Sequence, residues 1–322
     1  MKYLSVCSGI EAATVAWHPL GWKPEAFSEI EKFPSQVLKH HYPNVPNLGD
    51  MTKFEEWNLG TIDLLVGGTP CQSFSVAGLR KGLDDPRGNL MLTYGAIANR
   101  FRPRWLVWEN VPGVLSSNGG RDFGSFLGML GKLGYGWAYR VLDAQYFGVA
   151  QRRRRVFVVG YLGNWRRAAA VLFERHSLQG NPAPSREARQ SVAGTIGSRA
   201  SSGGGFSTDF ECAGELQPVA ARAEVCPTVT NGPPFSRTGN ERVEAEALVT
   251  VFGPRMQSMA VRRLTPVECE RLQGFPDNYT NIPNAADGPR YKALGNSMAV
   301  PVMAWIGKRI QEVDAIRRAD ER

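Results

Sequence analysis

A chain of 322 residues, 43% of them hydrophobic, is long enough for one large α/β domain and a smaller one, which excludes disordered and fibrous classes. No stretch approaches the ~20 apolar residues that a membrane span needs, so no membrane partner and a cytoplasmic location are expected. Net charge +8 suits a polyanionic partner, and five cysteines without C-x-x-C spacing suggest neither a disulfide framework nor a metal site.

From the amino end, Lys2 to Cys7 reads as a strand, Ser8-Gly9 as a tight turn, and Glu11 to Trp17 as the start of an alanine-rich helix. A second strand is expected from Glu25 to Ile30. Its Glu29 lies twenty residues beyond Gly9, where nucleotide-binding α/β folds place a carboxylate for ribose hydroxyls. A full G-x-G-x-x-G is absent, so an ordinary βα turn with a surface glutamate stands as the alternative. Asp50 after Gly49 reads as a turn former. The apolar run from Ile62 to Val66 is a third strand, ended by Gly67-Gly68, and Thr69-Pro70-Cys71-Gln72-Ser73-Phe74-Ser75 then offers one cysteine on a loop. A thiol reacts as thiolate, so a loop near positive charge is where a nucleophilic cysteine belongs, although a lone cysteine is more often a small buried hydrophobe.

Further strands are expected at Trp105 to Trp108, Trp137 to Leu142 and Val156 to Val159, with helical patterns between most of them. The alternation argues for a mostly parallel sheet covered on both faces, with ligands at the carboxyl ends of strands. Three stretches then meet on one rim: the Gly9 turn, the Pro70-Cys71 loop and Glu109-Asn110-Val111. Gln151 is followed by four arginines that run into the next strand, so Arg153 and Arg155 share one face and Arg152 and Arg154 the other.

From Gly163 to Val261 the chain has no lysine, eleven glycines, ten arginines and nine acidic residues, which reads as a long irregular insertion or a small separate domain. Two similar segments within it, around Thr195 and Thr228, each place a glutamate sixteen residues on. They are read as a weak internal repeat. Beyond the insertion, Thr265, Pro266 and Glu268 form a helix start with a capping box, and Gly274 a stop. Tyr291 to Ser297 reads as a glycine-bounded loop, followed by a helix with Met303, Ile306, Ile310 and Val313 on one face.

Pro70-Cys71-Gln72, Glu109-Asn110-Val111, Gln151 through Arg155, Arg263-Leu264-Thr265-Pro266 with Glu268, and Gly295-Asn296-Ser297 together resemble the DNA (cytosine-5) methyltransferase family, in the family's order and over the whole length outside the variable region. The opening turn departs from the pattern: Ser8-Gly9-Ile10-Glu11-Ala12 stands where the family usually has further glycines. The resemblance implies an S-adenosylmethionine-dependent methyltransferase fold, Rossmann-like, with a smaller irregular target-recognition domain. The expected division is 1–162 catalytic and cofactor-binding, 163–284 target recognition including the linking helix, and 285–322 returning to the catalytic domain.

The same resemblance implies catalytic roles for Cys71 as nucleophile at carbon 6 of cytosine, Glu109 holding a proton at ring nitrogen 3, Arg153 and Arg155 binding the base carbonyl and ordering the cysteine loop, and Asn110 bracing that loop. It places S-adenosylmethionine, with product S-adenosylhomocysteine, on Ser8, Gly9, Glu29, Ile30, Asp50, Met51, Pro70, Asn296 and Ser297. Double-stranded DNA is the expected partner of a monomer, contacted by Gln72 and Ser75, with a companion restriction endonuclease as a candidate second partner. For sequence reading, Arg199, Arg222, Arg237 and Arg242 can pair bidentately with guanine, and Arg237 and Arg242 flank a glycine turn. An RNA cytosine methyltransferase of the same architecture and a DNA-binding relative without catalysis are the alternatives. The pattern after Pro70-Cys71 is of the DNA type, and no lesion marks the third reading.

Overall fold

The computed structural model of the protein describes residues 1–70, 90–174, 248–251 and 260–320. Six strands, β1 Lys2–Val6, β2 Lys23–Ser28, β3 Leu64–Gly67, β4 Trp105–Asn110, β5 Tyr135–Asp143 and β6 Arg154–Leu162, form one sheet in the order β2-β1-β3-β4-β6-β5. β1 runs parallel to β2 and β3, and β3 parallel to β4, whereas β6 lies antiparallel to β4. The central strands LLVG and WLVWEN are buried along their whole length, as expected for strands covered on both faces.

Helices α1 Ala12–Trp17, α2 Lys32–His41, α3 Leu90–Phe101, α4 Arg121–Lys132 and α5 Trp165–Leu172 follow the strands, and α8 Val300–Asp320 comes last. The apolar face predicted for that last helix is buried at Met303, Ile306, Ile310 and Val313. It covers α1: the Trp17 indole donates to the Met303 carbonyl at 2.7 Å, and a side chain on Gly307 would collide with the Trp17 ring. Further along, buried Asp314 takes the Trp105 indole N–H and pairs with Arg104 at 3.2 Å, tying the end of α8 to the start of β4.

The chain divides into two compact units, Met1–Leu142 with Arg154–Pro182 and Met298–Arg322, and Asp143–Arg153 with Ala183–Ser297. In the second, strands β7 Leu248–Val251 and β8 Ala260–Arg263 pair antiparallel, and helices α6 Pro266–Gln273 and α7 Asp287–Asn296 follow. α6 starts as expected, with the Thr265 and Glu268 capping box formed and Gly274 in a left-handed conformation closing it. Between the two helices, buried Glu270 accepts from the backbone of Asn278 and Thr280 and faces Arg290 at 3.4 Å. The expected loop from Tyr291 to Ser297 is a correction: Tyr291 through Asn296 complete α7, and Ser297 caps it. Tertiary contacts outweigh the two glycines of that helix, because the Tyr291 hydroxyl donates to the Leu264 carbonyl and the Gln273 amide to that of Leu294.

Candidate active site

Strands β1, β2 and β3 finish level with one another, and β4 continues past them to Asn110. Val6 is paired with Ser28 on one side and Gly67 on the other, and Gly67 with Trp108, so the residues that follow each strand emerge on one rim. That is where ligands bind in open α/β sheets.

On the β1–β2 side the second strand stops at Ser28, two residues before the expected end, which leaves Glu29 and Ile30 beyond the sheet. Glu29 is only 9% exposed, and its carboxylate accepts the backbone N–H groups of Gly9 at 2.7 Å and Glu31 at 2.7 Å, with the Ile30 N–H also directed at it. Burial raises its pKa. A carboxylate offers about four lone-pair sites, so the group keeps acceptor capacity for a hydroxyl donor such as a ribose presents. Ile30 beside it is 73% exposed, an aliphatic surface ready for a flat ring. Asn47, which sequence reasoning missed, staples this corner. Its amide donates to the Glu29 carbonyl at 3.0 Å while its oxygen accepts the N–H groups of Glu29 and Gly49. The available signal was an asparagine two residues before a Gly-Asp turn. Asp50 caps the 3-10 turn Met51–Glu56 by accepting from the Thr52 N–H, and Ser8 donates its hydroxyl to the Ser5 carbonyl. Cys7 lies 3.4 Å from the Met51 sulfur. Burial, with Glu29 and Asp50 nearby, pushes its thiol up to about 12. It therefore stays protonated and unreactive near neutral pH.

The turn between β1 and α1 is unusual in its backbone. Cys7, Gly9 and Glu11 all have positive φ, at 48°, 58° and 64°. Glu11 is buried, accepts from the Thr14 N–H at 3.0 Å, and bonds the hydroxyls of Ser5 and Thr14. Burial raises its pKa to about 6 against those hydrogen bonds. A carboxyl whose folded pKa lies above its unfolded one binds its proton more tightly when folded, so its contribution is full at low pH and lost as pH rises from about 4.5 to 6. The difference amounts to about 2 kcal/mol. Glu11→Gln should therefore gain on the native chain by about that amount between pH 4 and pH 7 in urea melts. A constant difference across that range would reject the titration.

On the β3–β4 side, Glu109 lies near the end of β4 and pairs with Arg155, Nε to Oε1 at 3.2 Å, both groups being buried. Burial lowers the arginine's pKa, and the Glu109 charge opposes that shift. The second carboxylate oxygen faces Gly68: a side chain there would come within 2.9 Å of Glu109 Oε2 and 3.2 Å of the Met298 methyl. Gly68 thus lets the backbone of the cysteine loop close on the carboxylate. Asn110 donates to the Thr69 carbonyl at 2.8 Å and accepts the Val111 N–H at 2.9 Å, while the Trp108 indole donates to the Thr69 hydroxyl at 3.0 Å. These bonds fix the backbone up to Thr69, two residues before Cys71. Pro70 is exposed, and Cys71, Gln72 and Ser75 lie outside the described residues.

The arginine run alternates as expected, with Arg153 and Arg155 buried, Arg154 exposed and Arg152 between, although the strand itself starts at Arg154. In the second unit, Arg153 Nη2 donates to the carbonyls of Ser297 at 2.7 Å and Gly295 at 3.1 Å. There Asn296 is exposed and Ser297 buried. Arg199, Arg222, Arg237, Arg242 and the segments around Thr195 and Thr228 lie outside the described residues. Among the described residues no group of acidic, histidine and cysteine side chains could hold a metal ion, and no helix is long and apolar enough to cross a membrane.

The sequence profile of C-5 cytosine-specific DNA methylases matches residues 1–193 and 217–312. Over 96% of its length the chain is 38% identical to a protein of Escherichia phage P1 named DNA N-6-adenine-methyltransferase, and it spans 61% of that relative. It is 29% identical over 97% of its length to the Type II methyltransferase M2.BsuMI of Bacillus subtilis, spanning 76% of it. Among solved structures, the Dnmt2 methyltransferase of S. pombe superposes with TM-score 0.66 over 98% of this chain and 99% of its own, at 17% identity. A DNMT2 mutant of Spodoptera frugiperda does so with TM-score 0.61 over 96% and 99%, at 20% identity. At these identities the structural likeness speaks for the fold, an α/β methyltransferase sheet.

Proposed function

This chain belongs to the family of C-5 cytosine-specific DNA methylases, with S-adenosylmethionine as methyl donor, and on that premise we propose that it methylates carbon 5 of a cytosine flipped out of double-stranded DNA through a covalent Cys71 adduct. The observation that carries the reading is the Glu109 carboxylate, held between Arg155 and the Gly68 backbone three residues before Cys71. Neither described cysteine competes for the role, since Cys7 keeps its proton and Cys269 is sealed in the second unit.

Carbon 5 of cytosine is a poor nucleophile. A Cys71 thiolate adding at carbon 6 breaks the 5,6 double bond and makes carbon 5 electron-rich. Glu109, holding a proton at ring nitrogen 3, would neutralise charge in that adduct, and Arg155 would both fix the carboxyl and bind the base carbonyl. S-adenosylmethionine supplies an electrophilic methyl on a sulfonium. Loss of the carbon 5 proton then lets the carbon 6–sulfur bond break and returns Cys71. Glu29 would hold the donor's ribose and Ile30 its adenine, with Gly9, Ser8, Asp50 and Met51 around them, and Asn296 and Ser297 are assigned to its methionine part. Stacked bases cannot reach such a thiol, so the cytosine must leave the helix, at a cost of roughly a few kcal/mol offset by phosphate and groove contacts.

The phage P1 relative's name describes another chemistry. An exocyclic adenine amine has its own nucleophilic nitrogen and needs neither a cysteine adduct nor an acid at ring nitrogen 3, and part of that relative lies beyond this chain's match. Incubating duplex DNA and an RNA transcript separately with labelled donor, then sequencing after bisulfite conversion, tests the substrate. Conversion-resistant cytosines in one repeated DNA sequence are expected. Label in N6-methyladenine, or in RNA alone, would reject the proposal.

Glu29→Ala should weaken S-adenosylmethionine binding by roughly 1.5–3 kcal/mol, the scale of hydrogen bonds to a charged group, with DNA affinity nearly unchanged. Calorimetry giving native donor affinity would remove Glu29 from the site.

Target choice is assigned to 163–284, with the reading residues between about Ser185 and Val251, because that stretch takes no part in the chemistry yet exceeds a plain connector. Grafting it from a relative with another target should transfer the target, and single Arg→Ala changes at reading positions should each cost about 1–3 kcal/mol and relax one base. Active chimeras that keep the original target would place recognition elsewhere.

A further inference from the structure

We propose that Glu11 is a positioning residue for the donor site: from a left-handed backbone position its carboxylate ties Ser5 to Thr14 and sets the Ser8–Gly9 turn so that the Gly9 N–H meets Glu29 before the donor arrives. The proposal rests on the reading of Glu29 as the ribose carboxylate. A glutamate with φ 64° occupies a region that side chains other than glycine seldom enter, so something must hold it there. What holds it is a closed set of bonds. One oxygen takes the Thr14 N–H and hydroxyl, the other the Ser5 hydroxyl, and the Thr14 hydroxyl also meets the Tyr3 hydroxyl at 2.7 Å.

Those anchors lie in β1 and α1, one on each side of the turn. Between them the chain has little choice of path, because the Glu11 N–H bonds the Ser8 carbonyl at 3.1 Å and the Ser8 N–H bonds the Ser28 carbonyl at 3.2 Å. The Gly9 N–H is thereby presented to Glu29 Oε2 at 2.7 Å. Two buried carboxylates thus share one turn with different tasks: Glu11 has its oxygens engaged by side chains and backbone of its own loop, and Glu29 keeps lone pairs for a ligand. The titratable groups electrostatically coupled to Glu11 are Glu29 at the end of β2 and Tyr3 of β1. Where the family usually spends a second glycine to make this turn, this chain uses a side chain to hold the conformation that glycine would merely permit.

The test is calorimetric titration of S-adenosylhomocysteine into the full chain without DNA, at pH 7.5, for native protein and for Glu11→Gln, Glu11→Ala and Glu29→Ala. A glutamine keeps an oxygen for Thr14, and its amide can donate to Ser5, whose hydroxyl then accepts. Glu11→Gln should bind within about threefold of native. Glu11→Ala frees the turn and should lose at least about tenfold, with affinity for duplex DNA unchanged. If Glu11→Ala does not fold, Ser5→Ala with Thr14→Val removes the hydroxyl anchors while leaving Glu11 in place, and the same tenfold loss is expected. Native affinity in whichever of these folds, or a Gln variant as weak as the Ala variant, would overturn the proposal. Failure of the native chain to bind, or full binding by Glu29→Ala, would instead reject the donor-site reading on which it rests.

Discussion

Cys71→Ser is expected to lower methyl transfer by roughly four orders of magnitude or more, the scale on which removing a covalent nucleophile acts, while duplex binding persists. Serine matches cysteine closely in size, so the loop can keep its shape. Its hydroxyl, however, is far less acidic than a thiol and would be almost wholly protonated near neutral pH. The bonds that fix the approach to that loop, from Asn110 and Trp108 to Thr69, do not involve the sulfur and should survive the change. A filter assay for DNA and a labelled-methyl assay for transfer measure the two properties separately. Substituting 5-fluorocytosine in the target blocks the final proton loss and should trap native protein covalently on DNA. An adduct that still forms with Cys71→Ala would place the nucleophile elsewhere, and substantial turnover by the serine variant would end the covalent mechanism.

Glu109 should give the second largest effect. Its removal has two consequences that different substitutions separate. Glu109→Gln preserves an oxygen for Arg155 Nε, now at 3.2 Å from the carboxylate, but supplies no acid proton to ring nitrogen 3. Turnover should fall by about 10²–10⁴, the usual worth of a positioned acid. Glu109→Ala should be as inactive, and it also strands the buried Arg155 charge, which costs roughly 3–5 kcal/mol of stability. Urea denaturation should therefore rank native, Gln and Ala in that order, whereas activity should separate only native from the other two. A Gln variant with near-native turnover would show that the carboxyl carries no proton in the reaction.

The rim was legible in the sequence because its parts are signalled locally: short apolar runs, glycines after the first (Gly9) and third (Gly67-Gly68), and an acid at the end of the second (Glu29) and fourth (Glu109). Val6, Ser28 and Gly67 finish level because parallel neighbours share a register, which the alternation of strands and helices already implies. The alternation of the arginines was readable for the same reason, since side-chain direction in extended chain has period two. What Arg153 bonds to was not, because its partners lie more than 140 residues away in the carbonyls of Gly295 and Ser297. The reversed direction of β6 against β4 and the helical state of Tyr291–Asn296 were hidden likewise. Both depend on tertiary pairing, and the second runs against the weak helix propensity of its glycines. Asn47 escaped notice because a lone asparagine in a turn carries no sign that it serves a neighbouring strand.

The seat of Trp17 beneath the last helix has a consequence for how the chain is made. The indole bonds Met303 and fills the space left open at Gly307, so the first helix is finished only by residues near the opposite end of the sequence. At synthesis rates of about 5–20 residues per second, roughly 15–60 s separate the two. Throughout that interval the nascent amino-terminal half carries an uncovered tryptophan face, and the turn proposed to hold the donor rests on an unfinished foundation. Ribosome stalling anywhere before residue 300 should thus yield a sticky fragment unable to hold the donor, and the tightness of the turn around Gly9 becomes a report that the helix carrying Met303 and Gly307 has been made.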